Sequence, residues 1–168
     1  RSKGIHDPAH VSEVGAPVVP PIVQSATFHW ATPADGELLY SRYGNNPNQL
    51  AAGRKIAALE GTEAAVALGS GMGAMAMAIL AHAKAGDHVV ASAKLYGATQ
   101  ALLRDELPHR GIETTFVDPD SGAWAEAIRP ETKLVVIEIP TNPTLRLLDP
   151  RPIVAAAHAE GVPVVCDS

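Results

Sequence analysis

Cysteine is nearly absent from this chain: Cys166 is the single one in 168 residues. One thiol excludes an internal disulfide and fits a reducing compartment, so a cytoplasmic location is expected. Aromatic residues are scarce as well, with two Phe, two Trp and three Tyr, so each one bears weight in the reading. Basic residues are outnumbered, giving a net charge of −5. With no basic run, that balance argues against a nucleic-acid partner. No apolar run reaches the roughly 20 residues of a membrane span. The opening Arg-Ser-Lys-Gly-Ile-His does not read as a signal peptide. No metal site is expected. What remains is a globular chain, 46 % hydrophobic, long enough for about one domain with a sizeable core.

Glycine, by contrast, is concentrated at one place. An apolar run, Ala64 to Leu68, reads as a buried strand, and Gly69, Gly71 and Gly73 follow it. Next comes a helical pattern, Ala74 to Ala83, apolar nearly all round. A helix starting near Ser70 presents N–H groups without internal partners, and its dipole adds positive charge there. Glycine lets the backbone come close to a bound group. The stretch therefore reads as a phosphate cradle. Gly69-Ser70-Gly71-Met72-Gly73-Ala74 also satisfies the loose dinucleotide pattern, yet no acidic residue closes the next strand. No P-loop is present. A nucleotide-binding oxidoreductase domain and a purely structural glycine turn stay open on these residues alone.

Residues Arg1 to Tyr43 carry Pro8, Pro17, Pro20, Pro21 and Pro33 with little periodicity, which predicts an extended arm. Val18, Val19, Ile22, Val23, Phe28 and Trp30 need a surface to pack on, either a second subunit or the arm's own domain. Asn46 or Asn48 can cap a helix running to Glu60, with Pro47 in its first turn and Gly61 as its stop. Ala51, Ala52, Ile56 and Leu59 would form its apolar stripe. Tyr40 and Arg42 point the same way if extended, a pairing suited to an anion.

After the glycines the chain alternates. Strands are predicted over 88–92, 113–117, 133–139 and 162–166, with helices over 98–109, 124–128 and 151–160. This is the pattern of βαβ units in a mostly parallel sheet flanked by helices. Ligands of such sheets bind at the carboxyl ends of the strands. Past those ends lie Gly69, Ser70, Gly71 and Met72; then Tyr96-Gly97; then Pro140-Thr141-Asn142-Pro143, with Glu138 just inside; then Asp167 and Ser168. Each has an ordinary reading: Tyr96 as a turn aromatic, Asn142 as an Asx turn, Asp167 as a helix cap. Together they suit a flat, phosphorylated ring containing nitrogen. An aromatic side chain can stack on it, and a carboxylate beside a pyridine nitrogen favours the protonated form. Pyridoxal 5'-phosphate is such a group. Cys166, in an apolar strand, reads as a small core residue.

The residues also carry a resemblance. Tyr40-Ser41-Arg42-Tyr43-Gly44-Asn45, Ala58-Leu59-Glu60-Gly61, Gly69-Ser70-Gly71-Met72, Gly86-Asp87-His88-Val89-Val90, Leu95-Tyr96-Gly97, Gly111-Ile112-Glu113, Pro140-Thr141-Asn142-Pro143 and a strand ending in Asp167-Ser168 occur in that order. This resembles the pyridoxal-phosphate-dependent enzymes of cysteine and methionine metabolism, the transsulfuration family. Its members include cystathionine γ-synthases, cystathionine lyases, methionine γ-lyases and homoserine-ester sulfhydrylases. The likeness implies a fold-type I large domain, here truncated. Residues 1–45 would be an N-terminal arm and 46–168 the N-terminal part of the cofactor domain. The rest of that domain and a C-terminal domain would be absent.

The resemblance also implies roles. Gly71 and Met72 N–H groups would hold the cofactor phosphate, with Ser70 and Ser168 among the cofactor-binding residues. Tyr40 and Arg42 would reach the phosphate of a neighbouring subunit, in a homodimer or homotetramer with shared sites. Tyr96 would stack on the ring and assist proton transfer, making it catalytic along with Asp167, the partner of the ring nitrogen. Asn142 would contact the ring hydroxyl, and Glu138 would lie nearby. The substrate would be a sulfur amino acid or an O-acylhomoserine, undergoing γ-replacement or elimination as in cystathionine γ-synthase; a cystathionine lyase, methionine γ-lyase or homoserine-ester sulfhydrylase is the alternative within the family, and an inactive fragment the alternative outside it. Two departures stand out. Asn45-Asn46-Pro47-Asn48 replaces the family's Gly-Asn-Pro-Thr, and Ala98 follows Tyr96-Gly97 where methionine γ-lyases tend to carry cysteine. The family's Schiff-base lysine lies past the strand that ends at Asp167, and Lys3, Lys55, Lys84, Lys94 and Lys133 do not match it. A longer functional polypeptide is therefore expected.

Overall fold

The computed structural model describes residues 14–168; the arm before residue 14, with Pro8, lies outside them. Contacts divide the chain at Leu68 and Gly69 into two compact units.

The first unit holds the proline-rich segment and one helix, α1 (Pro47–Glu60). Its described part forms no long element, only 3-10 turns at Pro33–Asp35 and Ser41–Tyr43 and a bridge between Thr27 and Tyr40, with Val18 and Ile22 open to solvent. Asn46 caps α1 by accepting from Asn48 N, while Gln49 reciprocates to the Asn46 backbone, and Gly61 closes the helix at φ 70°. That left-handed value is one glycine adopts at little cost. The departures from the family pattern fasten the segment to α1. Asn48 pairs with Val23 as a backbone would: its Oδ1 accepts from Val23 N at 3.0 Å, and its Nδ2 donates to Val23 O at 2.7 Å. Buried Asn45 accepts from Tyr40 N and donates to Glu37 and Leu38 O.

Two expectations fail in this unit. The buried face of α1 is Ala51, Gly53 and Ala57, whereas Ile56 and Leu59 are exposed. Small residues win because the following chain lies against them: a Cβ on Gly53 would stand 2.5 Å from Ala65 O. In addition, residues 64–68 form no strand, and Val66 is 81 % exposed. An apolar run becomes a strand only where a neighbouring backbone completes its ladder.

The second unit is an α/β layer structure. Helix α2 (Gly71–His82) precedes strand β1 (His88–Ser92). Helix α3 (Gly97–Ala101) continues into a π turn over Leu102–Glu106, so the single helix expected over 98–109 is broken into short pieces. Then follow β2 (Glu113–Val117), α4 (Trp124–Ala127), β3 (Thr132–Glu138), α5 (Pro150–Ala159) and β4 (Val164–Asp167). The four strands are all parallel, in the order β2-β1-β3-β4. Both faces of β3 are buried, as a parallel sheet with helices on either side requires. Leu134 and Val136 join Val89, Ala91, Ile79 and Leu103 in one cluster. Val135 and Ile137 join Val90, Trp124, Ile153 and Ala157 in the other. Cys166 departs from the core role expected of it. Among the described residues it is exposed, on an edge strand of the sheet they form. Desolvation of its sulfur by the neighbouring chain pushes the thiol up, and the Asp167 and Glu138 charges add to this.

His88, at the start of β1, is fully buried and ties three strands together. Its Nδ1 lies 2.8 Å from Thr132 Oγ1 and its Nε2 2.9 Å from Thr115 Oγ1. Thr132 Oγ1 also accepts from Arg129 N, so the imidazole, two threonine hydroxyls and the Arg129 amide form one buried network. Burial, with Arg129 nearby, lowers the His88 pKa against the opposing pull of Glu113 and Glu131. The unfolded chain then binds a proton that the folded one refuses. Stability present above the ordinary histidine value near 6.5 is lost as pH falls below it. The melting temperature should drop between about pH 7.5 and 5.5, and more steeply than in His88→Gln. Parallel melting curves of the two proteins would contradict this.

Candidate active site

The carboxyl ends of β1, β3 and β4 share one edge of the sheet. Between them lies a cleft of about 520 Å³ lined by Tyr96, Glu138, Thr141, Asn142, Asp167 and Ser168, with Pro140 and Pro143 in its wall. Each side chain arrives from a strand end. Tyr96 precedes α3 and is partly exposed, so its ring is open to a ligand. Asn142 lies in the turn after β3, which closes on itself through Thr141. There Thr141 N donates to Arg146 O, and Thr141 Oγ1 accepts from Arg146 N. Asp167 ends β4, directly beside Glu138 in the register.

The glycine turn sits at the start of α2. Ser70 is the N-cap, its Oγ accepting from Gly73 N at 3.0 Å, and Ala74 N donates to Ser70 O. The capping therefore leaves the Gly71 and Met72 N–H groups without a partner among the described residues. No atom stands within 4 Å of a Cβ built on Gly71, so the approach to those donors is open. These residues do not line the cleft itself. They connect to it through Met72, whose sulfur accepts from Thr99 Oγ1 of α3, three residues after Tyr96. Two free amides at a helix start and a cleft holding an aromatic, an amide and a carboxylate fit a phosphorylated pyridine.

Tyr40 and Arg42 lie in the first unit. They do not extend together as expected, because Ser41–Tyr43 is a 3-10 turn. The turn sets the Tyr40 ring edge-on to Tyr43 at 5.2 Å. Arg42 is exposed and forms no ion pair among the described residues.

Glu138 is the residue that sequence reasoning undervalued. It is only 5 % exposed, and both its oxygens are engaged by backbone amides. Oε2 accepts from Tyr96 N at 2.5 Å and Oε1 from Asn142 N at 2.7 Å. The signal was a carboxylate closing a β-branched run, because a charge so placed must find partners. A second cavity, about 550 Å³, opens at the opposite edge by Arg129, Lys133 and Glu160. It faces the amino ends of β3 and β4 and shares no residue with the cleft at the carboxyl ends. Among the described residues no cluster of His, Cys, Asp and Glu is arranged for a metal, and no helix is long and apolar enough to cross a membrane.

The model of the Cys/Met metabolism PLP-dependent enzyme family matches residues 1–168. The chain belongs to this family. Its relatives include an L-methionine gamma-lyase from Porphyromonas gingivalis, 40 % identical over 178 residues, covering 99 % of this chain and 44 % of the relative. Cystathionine beta-lyase MetC from Bacillus subtilis is 37 % identical over 159 residues, covering 94 % of this chain and 40 % of that protein. Among solved structures, metY from Campylobacter jejuni superposes with a TM-score of 0.91 at 26 % identity, covering 99 % of this chain and 43 % of that one. That crystal carries an N'-pyridoxyl-lysine-5'-monophosphate. The chain thus spans less than half the length of the relatives it matches. The family depends on pyridoxal phosphate, the group that the strand-end residues suggested, and the expected parallel sheet is the one found.

Proposed function

We propose that the whole protein is a transsulfuration enzyme acting at the γ-carbon of an O-acylhomoserine or a sulfur amino acid, by replacement or elimination, in the manner of cystathionine γ-synthase. The single observation that supports this best is the pair of unpartnered amides, Gly71 and Met72, tied through Thr99 to the cleft of Tyr96, Asn142 and Asp167. On this reading Gly71 and Met72 donate to the cofactor phosphate at the positive end of α2. Ser70 keeps the turn in shape, and Ser168 borders the cleft. Tyr96 stacks on the ring and its phenol moves a proton at the substrate. Asn142 donates to the ring hydroxyl, and Asp167 holds the proton on the ring nitrogen. Bound there, pyridoxal phosphate supplies an electron sink for the carbon that loses its α-proton.

Tyr40 and Arg42 act on the phosphate of a second copy, so the active form is a homodimer or homotetramer in the cytoplasm. Residues 1–45 serve as its arm and 46–168 as the first part of the cofactor domain. Neither nucleic acid nor membrane is a partner. Identity of 40 % to a methionine γ-lyase favours a second reading, elimination from methionine, against which Ala98 stands as a departure. Purified whole protein should take up pyridoxal phosphate and turn yellow. Assays with an O-acylhomoserine plus cysteine, and with methionine alone, then separate replacement from elimination. Binding of a nicotinamide nucleotide without yellow absorbance would overturn the proposal.

A further inference from the structure

The two oxygens of Glu138 reach two different loops. Tyr96 belongs to the turn between β1 and α3, and Asn142 to the turn after β3. No other hydrogen bond among the described residues is made by the Tyr96 and Asn142 amides. Backbone N–H groups facing one carboxylate make short, charge-assisted bonds, and two of them fix both the distance and the angle between their loops. Glu138 is itself held at the end of a strand buried on both faces, so its position is set by the core rather than by either loop. We infer that Glu138 is a positioning residue: it holds the aromatic face of Tyr96 and the amide of Asn142 at one separation, so that a flat ring between them meets both. The inference rests on the cofactor reading above.

Its chemistry makes the requirement specific. Two donors need two acceptors, and only a carboxylate offers both in one fork. Glu138→Gln keeps the shape but turns an N–H donor toward one of the two amides. Aspartate is one methylene shorter and cannot span both loops from the same backbone position. Tyr96 keeps its ring in either variant, so a change in ring binding would come through placement and not through loss of the stacking group.

The test uses the whole protein, wild type and Glu138→Gln, with Glu138→Ala as a second variant. Amide hydrogen exchange without cofactor reads the clamp directly. Exchange at Tyr96 and Asn142 should rise at least ~10-fold in Glu138→Gln, while the amides of β1 and β3 stay protected. Pyridoxal phosphate is then titrated in. Its dissociation constant should rise about tenfold, and the circular dichroism of the bound ring should change in size or sign, since that signal reports ring orientation. Unchanged exchange and an unchanged dichroic band in Glu138→Gln would overturn the inference. So would exchange that rises across β3 as a whole, which would make Glu138 a general stability element. If the wild type takes up no pyridoxal phosphate, the proposed function fails. The positioning role toward a ring then fails with it, whatever the exchange data show about the loops.

Discussion

On the proposed function, replacing Asp167 by alanine should lower turnover of the amino-acid substrate by roughly 10²–10³-fold, about 3–4 kcal/mol of lost transition-state stabilisation, and should weaken retention of pyridoxal phosphate. The expectation comes from where the carboxylate stands. Asp167 ends β4, shares the cleft with Tyr96 and Asn142, and is partly screened from water. On the proposed function, a negative charge there would keep a pyridine nitrogen protonated, and partial burial would strengthen the pairing. Charge, not shape, is the operative property, so Asp167→Asn should lose nearly as much. Steady-state rates at saturating cofactor, beside a cofactor titration, separate the loss of chemistry from the loss of binding. Turnover within twofold of wild type in either variant would remove Asp167 from the assigned role.

The second large effect is on stability. Leu134 is fully buried in β3, between β1 and β4. It packs in the cluster that contains Ile79, Val89 and Leu103. Truncation to alanine removes three carbons and leaves a cavity that packed neighbours on three elements cannot fill. The cost should be ~2–5 kcal/mol, which in a domain of this size lowers the melting temperature by roughly 5–15 °C. Lys133→Ala, one residue away on the exposed edge, serves as the control and should change stability by less than about 0.5 kcal/mol. Equal melting temperatures for the two variants would mean that this cluster is not the core. The His88 and Glu138 experiments probe the two ends of the same strand layer. His88 bridges the amino ends, and Glu138 bridges the loops at the carboxyl ends.

Much of this architecture was legible residue by residue. The β-branched stretches of β1, β2 and β3 fall within about one residue of where alternation placed them. The cap of α1 at Asn46 and its stop at Gly61 follow from side-chain and backbone chemistry that acts within a few positions. So does Ser70 at the head of α2. Local signals of this kind act through bonds between near neighbours, and a sequence displays them openly. The rule that ligands gather at the carboxyl ends of parallel strands then selected Tyr96, Asn142 and Asp167, which line one cleft.

Other features depended on who stands beside whom. The run 64–68 looks like a strand in composition, but strand identity requires a partner's N–H and C=O, which no local pattern contains. The inner face of α1 went to Gly53 and Ala57 rather than to Ile56 and Leu59, because close approach of the Ala65 carbonyl favours small side chains. Glu138 shows the division most clearly. Sequence placed a carboxylate near the site; only the folded chain brought residues 42 and 4 positions away onto its two oxygens. The sequence by itself determined the elements, their caps and the chemical character of the strand ends. The tertiary structure decided which faces are buried and which residues are joined, because burial and long-range hydrogen bonding belong to pairs of segments and not to either one alone.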